Sequence, residues 1–299
     1  MEYRDRISLS YKQYDGPEFK GGLTLKCFRN FVRVAEVILP TYTKNMMGDL
    51  IFRPRVKKND PKDQFLKTAD VTDTFTLRPG VDCKYYIWGG KQPDVILVHG
   101  WESKSSHFST LIKLLVEKNH CVLAFDSVAH GQSEGKQSDL LDFVGCIQQL
   151  HQKFNSIGSI IGYSFGGLAA VNAVKSGLPV QRIGIISAPS SFYGIFEKLS
   201  AQLNLSETMK RHLSEVVLNR YGICDSSWDT YSGYANIEHI SIPLVAIHDN
   251  HDTYVKKIES EVLVDAWPEA SLIETNNLGH RGIIRSAESL AVFYHKLYA

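Results

Sequence analysis

Charge of one sign is what this sequence lacks first. Its 299 residues carry 33 Lys+Arg against 32 Asp+Glu, a net of +1. That balance gives no chain-wide electrostatic footprint for nucleic acid and leaves open only a local patch. Long hydrophobic runs are lacking too, and none approaches the ~18 residues of a membrane-spanning helix. There is no internal repeat and no low-complexity tract, which excludes a solenoid or a biased linker. Residues Met1 to Ser10 hold two Arg, an Asp and a Glu, so they are not expected to act as a secretory signal. Cysteine is sparse and odd in number, at 27, 83, 121, 146 and 224, with no CxxC and no Cys/His ligand spacing. Reduced thiols in a cytoplasmic protein are expected, with no metal site. What remains, 43% hydrophobic and 22% charged residues, is the composition of a globular protein.

The length fits about two domains or one large α/β domain. Residues 1–73 differ from the rest and are expected to form an N-terminal arm. Within it Asp15-Gly16-Pro17 and Gly21-Gly22 are turn signals, and apolar residues at 28, 31, 32, 35, 38 and 39 have helical spacing up to Pro40. Packing on the main domain is the expected fate of that amphipathic helix. Lys26, Arg29 and Arg33 leave contact with a membrane surface as the alternative. Residues 53–62, basic and with two prolines, are expected to be a linker. From residue 74 onward, apolar runs at 95–98, 121–125, 157–161, 183–187, 244–248 and 271–274 alternate with helical segments near 107–118, 140–154, 166–175, 255–266 and 281–298. That order predicts a mostly parallel, doubly wound sheet over 74–299 with helices on both faces. Residues 190–240 interrupt it without a core strand. Helical spacing over 192–202 and 206–219, with Ser206 as N-cap, predicts an inserted helical cap.

Ser164 stands in Gly162-Tyr163-Ser164-Phe165-Gly166-Gly167, after an apolar strand and before a helix. That context turns a weak GxSxG pattern into a nucleophile elbow. A serine on so sharp a turn needs its neighbours two residues away to have no side chain, and Gly162 and Gly166 meet this need. The turn also sets the Phe165 N–H at a helix start, where it can donate to an oxyanion. His99-Gly100-Trp101 follows the buried strand 95–98, so the Trp101 N–H can supply a second donor. His99 itself is expected to shape the loop rather than move protons. Glu102 lies beside the hole, with its direction open. Among eleven histidines, His280 alone sits in a late strand-to-helix loop with a glycine beside it.

Taken in order, Val95–Gly100, Asp126–Ser133, Gly162–Gly167, Asp252 and His280 resemble the α/β-hydrolase fold superfamily, over roughly residues 74–299. His99-Gly100-Trp101-Glu102 with Leu278-Gly279-His280-Arg281 is similar to a group of bacterial hydrolases that carry an N-terminal extension. The Asp126–Ser133 loop departs from the usual D-x-P-G-H-G-x-S pattern at Val128 and Ala129. The resemblance implies an acid after strand 244–248, where Asp249 and Asp252 both stand. Asp252-Thr253-Tyr254-Val255 fits the family's D-x-x-V pattern, so Asp252 is the expected acid. The order Ser164, Asp252, His280 is that of the superfamily.

These residues imply a serine hydrolase that needs no cofactor, with Ser164, Asp252 and His280 as the triad and the Trp101 and Phe165 N–H groups as the oxyanion hole. The expected partner is a small-molecule acyl substrate, most simply a carboxylic ester. Phe192, Tyr193, Ile195, Phe196 and Leu199 share a face of the cap, which suits an apolar acyl group if the cap roofs Ser164. A thioesterase or C–C bond hydrolase is the second reading. It would need polar cap or loop residues that hold a second carboxylate, or a channel for a carrier group; the cap's only arginines near the pocket side, Arg211 and Arg220, are expected to be solvated. A binding protein that retains the fold is the third.

Overall fold

The computed structural model describes residues 2–12, 22–55 and 60–299. The turn signal at 15–17 and residues 56–59 of the basic linker lie outside the described residues.

The apolar runs become an eight-stranded sheet in the order β1-β2-β4-β3-β5-β6-β7-β8. Strands β3 (Val95–Val98), β4 (Val122–Phe125), β5 (Ser159–Tyr163), β6 (Arg182–Ile186), β7 (Leu244–Asp249) and β8 (Ala270–Thr275) run parallel. The hairpin β1 (Val71–Arg78) and β2 (Val81–Trp88) adds antiparallel at one edge. β3 to β5 have no exposed residue, because helices cover both faces. Alternation within a run sends successive side chains to opposite cores. Ile96 and Val98 enter one apolar cluster, Val95 and Leu97 the other. The second cluster holds Leu111 and Leu115 of α4 (Ser109–Glu117) and Phe293 of α10 (Ala287–Leu297). The first holds α5 (Leu140–Lys153) and α6 (Phe165–Lys175), together with the cap.

The cap consists of α7 (Phe192–Leu203), α8 (Glu207–Tyr221) and a 3-10 segment, Asp225–Tyr231. Its centre is Trp228, fully buried, with the Phe192, Tyr193 and Phe196 rings 5.2–5.8 Å away. Ser206 caps α8 by accepting from the Met209 N–H.

Ahead of the sheet come α1 (Tyr3–Lys12), α2 (Leu23–Ile38) and α3 (Pro40–Leu50). α1 buries Ile7 against Tyr234 and Val262, and Arg6 pairs with Asp265 at 2.8 Å. α3 buries Met47 and lays Gly48 against Val216 of the cap. α2 is held to the cap by Arg29 on the Gln202 carbonyl and by the Ser206 hydroxyl on Glu36. The expected burial of its apolar face holds fully for Val32 and in part for Phe28, which packs on the same cluster. Leu23, Phe31, Val34 and Ile38 are exposed along one stripe.

Several boundaries differ from the expectation, each for a local reason. Pro40 ends α2 but also begins α3, since proline suits the first helical position. The sheet starts at Val71, three residues before the expected start. The expected strand 157–161 runs Ser159–Tyr163, straight into Ser164. The expected helix 281–298 breaks into a single turn Gly279–Gly282, a 3-10 turn Ile283–Arg285, and α10. Ser286 caps α10 by accepting from Ser289 N–H. Arg220 is not simply solvated: it pairs with Asp139 at 2.5 Å and lies 4.3 Å over the Phe52 ring, whereas Arg211 is exposed. No helix among the described residues is long and apolar enough to cross a membrane.

Candidate active site

β5 delivers Ser164 into a turn with φ 54° and ψ −128°, a conformation that costs energy for any residue with a Cβ. The turn is possible because its neighbours are bare. A Cβ on Gly162 would fall 2.5 Å from the Gly166 carbonyl oxygen, and one on Gly166 2.2 Å from that of Val98. Gly100 is needed for the same reason, since its Cβ would lie 2.8 Å from that of Ser164. The loop after β3 therefore rests directly on the elbow. Phe165 is the first residue of α6, so its N–H has no acceptor inside the helix. The Trp101 and Phe165 rings meet edge to face at 5.6 Å.

Two buried histidines hold this loop. His99 Nδ1–H donates to the Gly100 carbonyl at 2.8 Å, while Nε2 accepts from Ser127 N–H at 2.9 Å. Burial pushes its pKa down to about 4. His130 Nδ1–H donates to the Val128 carbonyl, and its Nε2 accepts from Glu102 N–H. Burial, aided by His99, lowers its pKa to about 3. Both rings are thus neutral braces at pH 7. The Asp126–Ser133 loop is stitched by Asp126, which accepts from Ser105 and Gln132 N–H groups. Ala129, where the sequence departs from the family pattern, sits at φ 60°. Glu102, whose direction the sequence left open, lines the cavity and pairs with Arg55 at 2.7 Å.

On the other side of Ser164, His280 Nε2 lies 3.0 Å from Ser164 Oγ, and its Nδ1 lies 2.7 Å from Asp252 Oδ2. Asp252 Oδ1 accepts from the Tyr254 and Val255 N–H groups. Asp249 does not reach the imidazole. It accepts from Leu278 and Gly279 N–H, His251 N–H and the Thr275 hydroxyl, and so fixes the loop that carries His280. His248, fully buried, donates its Nε2–H to the Val255 carbonyl at 2.9 Å, with Asp252 Oδ2 3.5 Å from the same nitrogen, and its Nδ1 meets the Ser260 hydroxyl at 2.7 Å. Burial pushes the Asp252 carboxyl up, but hydrogen bonds and charge from His248 and His280 outweigh it and hold the group below the usual carboxylate range. A depressed carboxylate contributes stability above its unfolded value near ~3.9, and that contribution is lost as pH falls. The chain is therefore expected to lose thermal midpoint between about pH 5 and pH 3 more steeply than Asp252→Asn does. Parallel slopes in calorimetry across that window would refute the assignment of this charge.

Sequence reading missed His248, Tyr163 and Tyr254. The Tyr163 hydroxyl donates to the His280 carbonyl at 3.0 Å, and the Tyr254 ring lies 5.4 Å from the imidazole. For the two tyrosines the available signal was their place beside Ser164 and Asp252.

These groups open on one cavity of about 830 Å³. The expected apolar face of α7 divides. Phe192, Ile195, Phe196 and Leu199 line the cavity, and the first and third also pack on Trp228. Tyr193 instead turns to the arm, under Arg4 at 4.0 Å. The N-terminal arm supplies Tyr11, Phe52 and Arg55 to the wall.

The family described as serine aminopeptidase, S33, matches residues 91–220. A serine hydrolase-like protein of Dictyostelium discoideum is 29% identical over 132 residues, 42% of this chain and 36% of that protein. Monoacylglycerol lipase abhd6-B of Xenopus laevis is 26% identical over 125 residues, 40% of this chain and 37% of the lipase. The chain spans about a third of the length of the curated relatives it matches. Among solved structures, the Pyrococcus furiosus esterase Pf2001 superposes with a TM-score of 0.59 at 21% identity, over 83% of this chain and 97% of the esterase.

Proposed function

We propose, from the α/β-hydrolase fold to which this chain belongs, that it is a serine hydrolase cleaving a carboxylic ester of an apolar acyl group. The observation that carries the reading is His280, placed within hydrogen-bond reach of both Ser164 Oγ and Asp252 Oδ2. The serine hydrolase and lipase relatives support the same class.

In this mechanism His280 takes the Ser164 proton as Oγ attacks the carbonyl carbon. Asp252 holds the imidazole tautomer and stabilises the imidazolium. The Trp101 and Phe165 N–H groups receive the oxyanion. His280 then protonates the leaving alcohol, and water repeats the sequence on the acyl-enzyme. The residues named need no cofactor for these steps. We place the protein in the reducing cytoplasm, where the buried Cys83 and Cys146 thiols, 4.0 Å apart, stay unbonded.

The aromatic and aliphatic wall from α7 makes the acyl group apolar. Each CH₂ buried there is worth ~0.8 kcal/mol, or about fourfold in kcat/KM. With p-nitrophenyl esters, kcat/KM is expected to climb over short chains and then fall when the cavity is full. A flat response would refute an apolar roofed pocket. A fluorophosphonate should add its mass to the peptide that holds Ser164, and labelling elsewhere alone would overturn the reading.

A further inference from the structure

We propose that the mouth of this cavity binds a phosphate group, so that the substrate is an acyl ester or thioester whose leaving half is phosphorylated. The reaction rests on the serine-hydrolase reading; the binding does not.

The observation is a charge surplus. The cavity's carboxylates are already engaged. Glu102 pairs with Arg55, Asp139 with Arg220, and Glu259 accepts from Ser190 and Ser191 N–H groups. Asp60 is shared between Lys104 at 3.8 Å and His107 at 3.6 Å, and Lys104 is further held by Asp63 at 2.8 Å. Lys62, Arg281 and Arg285 line the same cavity with no carboxylate within ion-pair distance among the described residues. Burial, then the charges of Arg285 and Arg281, hold Lys62 below its ordinary value despite the attraction of Asp60. None of the three comes from the cap. Lys62 comes from the 3-10 segment Pro61–Thr68, and the arginines from the turns after His280.

Position decides which half of the substrate meets them. Arg281 lies 5.4 Å over the Tyr254 ring, and that ring lies 5.4 Å from His280. Arg281 thus stands on the flank of the group that protonates the leaving half, Lys62 and Arg285 line the same cavity, and the apolar wall from α7 is left for the acyl half. A phosphate monoester carries a charge of about −1.5 to −2 at pH 7, and guanidinium groups bind it bidentately. In the reaction the bond from acyl carbon to oxygen or sulfur breaks as the Ser164 ester forms. The serine proton passes through His280 to the departing phosphorylated alcohol or thiol. Water then releases the fatty acid and restores Ser164.

The test compares matched pairs: dodecanoyl glycerol with dodecanoyl glycerol phosphate, and a dodecanoyl N-acetylcysteamine thioester with its phosphopantetheine counterpart. In at least one pair the phosphorylated member is expected to show kcat/KM at least about tenfold higher. That advantage should shrink between about 0.02 and 0.5 M salt, as the screening length shortens. The pair with the larger ratio distinguishes a lipid source from a carrier thioester. The double variant Lys62→Gln/Arg285→Gln should abolish the preference and leave neutral p-nitrophenyl dodecanoate hydrolysis unchanged. No preference in either pair, or a preference that survives the double variant, overturns the proposal. A binding measurement separates it from the reaction: Ser164→Ala should bind dodecyl phosphate at least about tenfold more tightly than dodecanol. If that holds while no ester is cleaved, the hydrolase reading fails and the phosphate site stands. Equal binding of the two overturns the site.

Discussion

Ser164→Ala is expected to lower kcat by on the order of 10⁶, the scale found when the nucleophile of a serine protease is removed. The serine is held by its backbone, not by its side chain. The strained turn, the bare glycines and the contact with Gly100 are all independent of Oγ. The variant should therefore fold as the parent does, and its far-UV spectrum and thermal midpoint should be nearly unchanged. What disappears is the acceptor for the acyl group, along with fluorophosphonate labelling. The measurement is single-turnover hydrolysis of a p-nitrophenyl ester. Activity within tenfold of the parent would show that another group attacks the carbonyl.

The two aspartates after β7 should separate cleanly. Asp252→Asn is expected to cost on the order of 10⁴ in kcat, as it does for a triad acid. The amide cannot stabilise the imidazolium and can impose the wrong tautomer on His280. Asp249→Asn should cost no more than about tenfold in kcat but lower the thermal midpoint. Its carboxylate takes four donors, two of them from the backbone just ahead of His280. An amide offers one oxygen to those donors and turns its own N–H groups toward the rest, at ~1.5–3 kcal/mol for each charged hydrogen bond lost. Kinetics and calorimetry on both variants decide it. A large kcat loss in Asp249→Asn with an unchanged midpoint would move the acid.

Much of this site is legible in the sequence because its rules are local. Gly162 and Gly166 announce the elbow, since nothing larger fits two residues either side of Ser164. The runs at 95–98 and 244–248 mark buried parallel strands. Other features depend on partners far along the chain and leave no periodic trace. Nothing about His248 in the sequence distinguishes a ring aimed at Asp252 from an ordinary core residue. Arg55 and Phe52 reach the cavity only because α3 docks on the cap. The exposed stripe of α2 has the same helical spacing as a buried one would. Ser286, which caps α10, lies inside the expected helix 281–298, where the apolar spacing runs on without a break.

The pocket wall draws on α1, on the residues after α3 and on the cap, and that arrangement fixes an order of events during synthesis. Arg6 and Asp265 are 259 positions apart, yet they form one ion pair. At ~5–20 residues per second, roughly 10–50 s separate the emergence of these two residues from the ribosome. Early in that interval α1 and α2 have no cap to rest on, and Ile7 of α1 waits for Tyr234 and Val262 until its end. The segments made first are thus among the last to find their places. Contacts of such long range slow folding, because the chain closes its largest loop before the contact repays it. The cavity beside Ser164 acquires its full wall only after α9 (Lys257–Ala266) and the turns through Arg285 have formed, so a nascent chain exposes Ser164 before the walls around it are complete.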